Sequence, residues 1–356
     1  MKNLKRIGLI MAGGNGTRFW PSSRQTFPKQ FLKLTHGDTL LNETLYRVNK
    51  IIDWDDLYIV ANINHKDLLK ETLPSDFRLE NIIYEPLSRN TAPCIIYSAF
   101  HLRKIYENAI MCVFPADHHI MDNQSFSQTL IKGICQAEQS NHFVTLGITP
   151  SFPATGYGYM DANVSENKPI YSVNKFVEKP DSETAKIYFD SPNYFWNSGI
   201  FIWSIDTILK AAERETPLIY SATNKLFNSF PFDYDSLKET YSNFQKISID
   251  YAILEKDFPI DMVPLEASWS DVGSWDAIYD LNSRDNLGNV SDKNTISIDS
   301  KNNLIMSSKK VVAAIDVNDL ILVETNDAIL LCSNKSAQRV KEIVDILKKD
   351  GKEHLV

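Results

Sequence analysis

Cysteine is scarce in this chain: Cys94, Cys112, Cys135 and Cys332 are far apart and form no C-x-x-C pair. That excludes a disulfide framework and a zinc knuckle, and it suits a reducing compartment. Cys112 and Cys332 stand inside apolar runs, where a thiol is expected to be buried and inert. Long hydrophobic runs are missing too, for nothing approaches the ~20 apolar residues of a membrane span. The N-terminal apolar run is too short for a signal peptide and passes directly into glycines and charge. The expected setting is therefore cytoplasmic, with no membrane partner. Basic residues are in deficit as well, 37 Lys and Arg against 45 Asp and Glu for a net charge of −8. Such a balance argues against a general nucleic-acid binder.

Acids, in turn, are absent from one region. Up to Gly37 the chain holds Lys2, Lys5, Arg6, Arg18, Arg24, Lys29 and Lys33 but no Asp or Glu. Local concentration of this kind lets an acidic protein bind an anion, although a solvated basic face is the plainer alternative. Within the region runs GGNGTRFWPSSRQTFPKQF (13–31), directly after the apolar IGLIMA. A glycine-rich turn after a strand can bring backbone amides close to a phosphate. Two common phosphate motifs fail here. No Gly-Lys-Ser/Thr follows the strand, so this is not a P-loop. Phe19 stands where the dinucleotide fingerprint needs its third small residue. Amides, then Arg18, then Arg24 and Lys29 remain. They suit a triphosphate whose end leaves as pyrophosphate, because that leaving group calls for fixed positive partners.

Strand-like and helical stretches alternate through the first two thirds. KRIGLIMAG, DLYIVAN, NIIYEP and MCVFPAD read as strands; TLLNETLYRVNKII, HKDLLKETL and APCIIYSAFHLRKIYE read as helices. The alternation predicts an α/β fold with a Rossmann-like, mixed but largely parallel sheet. Ligands of such sheets bind beyond the strands' carboxyl ends. The glycine loop and Asp117 both follow strands and are expected to face one crevice. From Asn141 the strands HFVTLGI, GYGYMD, YSVNKFVEKP and GIFIWS mix with helical ETAKIYF, DTILKAAERE and SIDYAILEK. Between Asn294 and Asn334, five short strands (TISID, NLIMSS, VVAAID, LILVET, AILLCS) with Asp/Asn turns predict a small all-β, β-helix-like unit. The amphipathic helix SAQRVKEIVDILKKDG closes it. The expected domains are a catalytic α/β domain at 1–285 and a small C-terminal β domain with terminal helix at 286–356. No clear internal repeat stands out beyond the short strands.

The 13–31 stretch resembles the signature of sugar-phosphate nucleotidyltransferases, G-G-x-G-T-R-L-W-P-x-S-R-x-x-x-P-K-Q-F. Phe19 and Ser22 are mild departures that leave every charged position in place. The Pro-Lys-Gln-Phe ending is similar to the mannose-1-phosphate guanylyltransferase branch of that family. Five further family motifs follow in order: EPLSRNTAP (85–93), FPADH (114–118), FVEKP (176–180), WNSGIFIW (196–203) and WSDVGSWD (269–276). The resemblance covers essentially the whole chain.

It implies transfer of GMP from GTP to α-D-mannose 1-phosphate, giving GDP-mannose and pyrophosphate, with Mg²⁺ or another divalent cation, in a homodimer. Ala12, Gly13, Gly14, Gly16, Thr17, Arg18, Arg24 and Lys29 are expected at the nucleotide, Arg18 and Lys29 on its triphosphate with Arg24 in support. Asp117, at a strand's carboxyl end, and Asp271 are the implied metal ligands, since Mg²⁺ takes one or two carboxylates plus substrate phosphates. Their separation in the chain leaves open whether they meet, and on general grounds Asp271 reads as a turn residue. His118 and His119 read as loop or capping residues. Glu178 is the implied acceptor of sugar hydroxyls and Lys179 the partner of the sugar's phosphate, with Asn197 and Gly156 completing the pocket. Adjacent strand residues face opposite ways, so both reach one ligand only if the chain bends, and Pro180 gives it reason to. A surface Glu-Lys pair is the simpler reading without the family. Glu85, Asn90 and Thr91 correspond to the base and ribose region. A carboxylate at Glu85 would accept from N1 and N2 of guanine, which uracil lacks, or else cap the following turn. Trp196, Trp203, Trp269 and Trp275 read as core.

Other readings stay open: a guanylyltransferase for another sugar 1-phosphate, a non-catalytic regulatory homologue that binds a sugar nucleotide, and a nucleotide-dependent dehydrogenase. An added isomerase domain, as in longer bifunctional relatives, has no room in residues 286–356.

Overall fold

A computed structural model describes residues 4–14, 16–34, 37–165, 168–307 and 309–356; Lys2, one of the N-terminal cations, lies outside the described residues. The chain forms two compact units. The first comprises Met1–Gly13, Leu45–Ala116 and Ile120–Trp269; the second comprises Gly14–Thr44, Asp117–His119 and Ser270–Val356. The glycine-loop segment thus belongs to the same compact unit as the C-terminal region.

A nine-stranded mixed sheet is the centre of the first unit. Lys5–Met11 pairs in parallel with Leu57–Asn62 on one side and Ala109–Pro115 on the other, and Ile82–Glu85 extends the parallel part. Tyr194–Ser204 then runs antiparallel to both Ala109–Pro115 and Phe143–Ile148. Ile260–Pro264 lies parallel to Phe143–Ile148, and Tyr171–Val177 with Tyr159–Ala162 completes the sheet. Phe143–Ile148 is buried along its whole length, as a central strand with both faces covered should be.

The helices start where short polar side chains can satisfy their free amides. Asp122 accepts from Gln124 and Ser125 at the head of Asn123–Gln139, Ser204 caps Ile205–Glu215, and Asp181 caps Ser182–Phe189. Thr91–Ile105 buries ten residues, so it reads apolar on most of its circumference. Four helices are additional to the sequence reading: Asn123–Gln139, Pro217–Asn228 with proline at its first position, Tyr234–Ser242 capped by Asp233, and Trp275–Leu281. The expected helix in SIDYAILEK is instead a five-residue π-turn, Asp250–Leu254.

The second unit has its own core. Phe19 and Trp20 pack with Leu32, Val272, Trp275, Ile278, Leu304 and Val340. Phe19 meets Trp275 edge-on at 5.1 Å between centroids, and Trp275 Nε1 donates to Trp20 O at 3.1 Å. Trp20 Nε1 donates in turn to Leu355 O at 2.8 Å. The β part contains a repeat that the sequence reading lacks. Thr295–Ile298 lies parallel to Val312–Ile315, and Leu304–Met306 to Leu320–Glu324. Equivalent positions are 17 apart: Asn302 Nδ2 donates to Asp319 Oδ1, and Ser307 Oγ donates to Glu324. The left-handed turn residues obey the same spacing, Asp299 with Asp316 and Asn302 with Asp319. Each turn residue is Asp or Asn, which tolerate positive φ. Inside the stack, buried Asn303 donates to Asn289 Oδ1 at 3.1 Å and to Val317 O at 2.8 Å.

Trp275 is 1 % exposed and joins this core to the loop. Trp275→Ala is expected to destabilise the chain by about 3–5 kcal/mol, the usual cost of a large core deletion. Denaturant unfolding checks this, and a change below about 1 kcal/mol would contradict it.

Candidate functional site

The loop after the first strand closes on a buried lysine. Gly16 has φ +58°, and a side chain there would overlap Lys29, so glycine is required twice over. Gly16 O accepts from Phe19 N at 3.0 Å and from Ser23 Oγ at 2.7 Å. Lys29 begins a short 3-10 turn behind Pro28 and is 5 % exposed. Its Nζ donates to Asp117 Oδ2 at 2.8 Å and to Asp271 O at 2.7 Å, and sits 5.6 Å from the centre of the Phe19 ring. A buried ammonium requires such partners. Asp117 and Asp271, distant in sequence, therefore meet around one ammonium.

Asp117 lies two residues beyond its strand rather than on it. Burial pushes its carboxyl up, but the Lys29 ammonium and His118 outweigh this and hold it below the usual range. Asp271 is aimed by an unusual backbone. Val272 is fully buried and has φ +48°, a conformation that a β-branched residue rarely adopts. Strain of this kind concentrates at functional sites. Val272 N donates to Ser270 Oγ at 3.0 Å, and Gly273 passes so close to the Asp271 carboxylate that a Cβ would stand 3.2 Å from its oxygens. Among the described residues no group of three or more His, Cys, Asp or Glu could hold a metal. Mg²⁺ takes one or two carboxylates completed by substrate phosphates; around Lys29 the structure brings together the Asp117 carboxylate and the backbone carbonyl of Asp271.

The other N-terminal cations divide. Lys5 pairs with Asp56 at 2.7 Å and Arg6 with Glu138 at 3.1 Å, both in the first unit. Arg18 is exposed, as is Gly14. Arg24 has partners within the protein. Its guanidinium donates to Pro21 O, to Ser23 O at 3.1 Å and to Asp327 Oδ1 at 2.9 Å. These bonds tie its guanidinium to the loop and to the β part.

In the first unit, Glu85 ends its strand in a closed pocket. It is 4 % exposed, and its carboxylate accepts from Tyr241 Oη at 3.2 Å and from the Cys94 thiol. Burial pushes its carboxyl up to about 7. A Cβ on Gly13 would lie 3.6 Å from Glu85 Oε2, so the start of the glycine run borders this carboxylate. Ala12 N donates to Val60 O at 2.8 Å. Asn90 takes positive φ, and its side chain caps the helix through Thr91 N at 2.8 Å. Thr91 Oγ1 accepts from Ile249 N at 2.8 Å. Arg89, absent from the sequence candidates, donates to Tyr241 O at 3.0 Å and Ser242 O at 2.7 Å and anchors this loop.

A second cluster in the same unit contains Glu178, Lys179 and Asn197. The strand ends at Val177, and Lys179 takes φ +45°, which swings its Nζ back to donate to Glu178 Oε1. That is the bend the two residues needed. Glu178 N donates to Glu255 Oε1 at 2.9 Å. Asn197 is held on every side. Its N donates to Gly158 O at 2.8 Å, its Oδ1 accepts from Gly199 N at 3.1 Å, and its Nδ2 donates to Asp250 Oδ1 at 3.1 Å. Gly156 stands in open space; Gly158 is the constrained glycine, where a Cβ would come within 2.6 Å of Glu178 Oε2. Asp250 is a further residue that the sequence candidates do not include. Burial, with Glu178 beside it, pushes its carboxyl up to about 7.

Comparison with known proteins now decides the family. A family model described as "Nucleotidyl transferase" matches residues 7–287, and one described as "MannoseP isomerase/GMP-like beta-helix domain" matches 293–347. The chain belongs to the nucleotidyl transferase family. Two similar proteins are Mannose-1-phosphate guanylyltransferase 2 of Escherichia coli O157:H7 and mannose-1-phosphate guanylyltransferase of Salmonella montevideo, each 38 % identical. They align over 98 % and 81 % of this chain, which spans 74 % and 62 % of their respective lengths. A solved structure named mannose-1-phosphate geranyltransferase, from Thermus thermophilus, matches with TM-score 0.87 and 30 % identity over 97 % of this chain and all of that one. The expected membership of the mannose-1-phosphate guanylyltransferase branch thus agrees with the names of these relatives. This nucleotidyltransferase combines an α/β domain with β-helix coils, as expected, and no helix among its described residues is long and apolar enough to cross a membrane.

Because burial raises the Glu85 carboxyl from 4.5 to about 7, the folded chain retains a proton that the unfolded chain has lost. Its contribution to stability therefore falls as pH rises through that window. Glu85→Gln is expected to stabilise the protein more at pH 8 than at pH 5, by about 2–3 kcal/mol. Thermal unfolding at both pH values checks it; an equal effect at both would contradict it.

Proposed function

We propose that this nucleotidyltransferase moves GMP from GTP to α-D-mannose 1-phosphate, releasing pyrophosphate and GDP-mannose. The carrying observation is the Lys29 ammonium, buried against the Asp117 carboxylate and the Asp271 carbonyl at the end of a glycine turn. The names of the relatives that align over most of the chain point to the same sugar.

In the reaction, an oxygen of the sugar phosphate forms a bond to the α-phosphorus. The bond from that phosphorus to the β-phosphate oxygen breaks, and pyrophosphate leaves with the electron pair. Two anions must approach, so charge neutralisation and positioning are the main tasks. Arg18, Lys29 and the amides of Gly13, Gly14, Gly16 and Thr17 take the triphosphate, while Arg24 orders the loop. Lys179 takes the attacking phosphate, and Glu178 and Asn197 take sugar hydroxyls. Asp117 and Asp271 would hold Mg²⁺, which would supply neutralisation of phosphate charge when bound. Glu85 accepts from N1 and N2 of guanine, with Asn90 and Thr91 toward the ribose. A homodimer is the proposed assembly, read by light scattering.

With GTP, Mg²⁺ and mannose 1-phosphate, pyrophosphate release is expected, and much less with glucose 1-phosphate or UTP. No release with any sugar phosphate would discard the reading. Lys29→Met is expected to lower kcat/KM on the order of 10²–10³-fold, as removal of one preorganised charge partner does. Glu85→Gln is expected to erode preference for GTP over ATP and UTP. In the unmutated protein that preference should weaken as pH falls below about 7, because the carboxylate that accepts from guanine is lost there. Unchanged selectivity would sink the role of Glu85.

A further inference from the structure

Asp250 stands at the head of the five-residue π-turn Asp250–Leu254, which Glu255 N closes by donating to Asp250 O at 2.9 Å. Wide turns of this type re-aim a side chain and often mark functional sites. Here the carboxylate meets Asn197 Nδ2 at 3.1 Å. The other end of that amide is already committed, since Asn197 Oδ1 accepts from Gly199 N at 3.1 Å and from Thr145 Oγ1 at 3.2 Å. The amide therefore cannot flip without losing all of these bonds, and Asp250 determines where its free N–H points. Glu178, Lys179, Tyr251 and Ser248 complete the polar surroundings of Asp250 and Lys179.

Two carboxylates thus share one ammonium. Lys179 donates to Glu178, and its charge is also felt by Asp250. Resting on the sugar-phosphate reading of this pocket, we propose that Asp250 is its positioning residue. It orients the Asn197 amide toward a sugar hydroxyl and, with Glu178, keeps Lys179 in place until a substrate phosphate takes the ammonium over. Once Lys179 turns to that phosphate, the two carboxylates face each other with less compensation. One proton taken up from solvent relieves the repulsion. Burial, which already holds the Asp250 carboxyl up at about 7, makes Asp250 the acceptor of that proton.

Titration calorimetry of mannose 1-phosphate, in buffers of different ionisation enthalpy at pH 8, tests this on the full chain. GTP binding serves as the reference, and thermal unfolding checks that each variant is folded. The unmutated protein is expected to take up a proton on binding the sugar phosphate. Asp250→Asn keeps an acceptor oxygen for Asn197, so it is expected to bind the sugar phosphate with no proton uptake. Asp250→Ala removes both functions and is expected to weaken that binding by about tenfold or more, the scale of a lost hydrogen bond to a charged group, with GTP affinity unchanged. Asp250→Ala binding with unchanged affinity, equal weakening of both ligands, or proton uptake persisting in Asp250→Asn would overturn the proposal. Failure of the unmutated protein to bind mannose 1-phosphate or any hexose 1-phosphate would instead overturn the reading of the pocket, and the proposal with it.

Discussion

A positive charge buried in protein must be matched where it stands, and the Lys29 ammonium meets this demand with two oxygens from distant parts of the chain. Leaving such a charge unmatched would cost several kcal/mol, so the loop, the Asp117 turn and the Asp271 turn can only be right together. Other constraints follow from that requirement. Gly16 must lack a side chain because Lys29 lies against it, and Val272 must accept a strained backbone while it fills the core beneath Asp271. Arg24 secures the same loop from its far side through Asp327. The second unit thus devotes much of its polar chemistry to presenting one lysine.

Its carboxylates contrast with those of the first unit. Asp117 is kept ionised by cations, whereas Glu85 and Asp250 are pushed toward protonation by burial. The same functional group is prepared for different work by its surroundings. An ionised carboxylate suits a cation or a phosphate-bound metal. One poised near neutrality can respond to its ligand, gaining charge when a donor arrives or giving it up when a neighbouring ammonium leaves.

Much of this is legible in sequence where one local rule dominates. Alternating apolar runs mark the strands, and the order of six motifs marks the family. What escapes depends on tertiary geometry. A π-turn has no hydrophobic period of its own, so nothing in SIDYAILEK singles out Asp250. Arg24 stands in a cationic run, and only the fold brings Asp327 to it. Gly156 and Gly158 are equivalent in the string TGYGY, and only the approach of Glu178 separates them. The bend at Lys179 is foreseeable through Pro180, but its left-handed backbone is not. The 17-residue repeat is hidden because its matched positions share turn chemistry and burial rather than residue identity.

That repeat also governs how the β part can change. Each coil presents the next with a ladder of backbone groups, a buried amide and a left-handed Asp or Asn in register. Successive rungs are nevertheless not of one length: Val290 pairs with Leu304 across 14 positions, and Leu304 with Ile321 across 17. The turns take up the difference while the ladder stays in register, so length can change there by loops bulging outward, with the rungs left as they are.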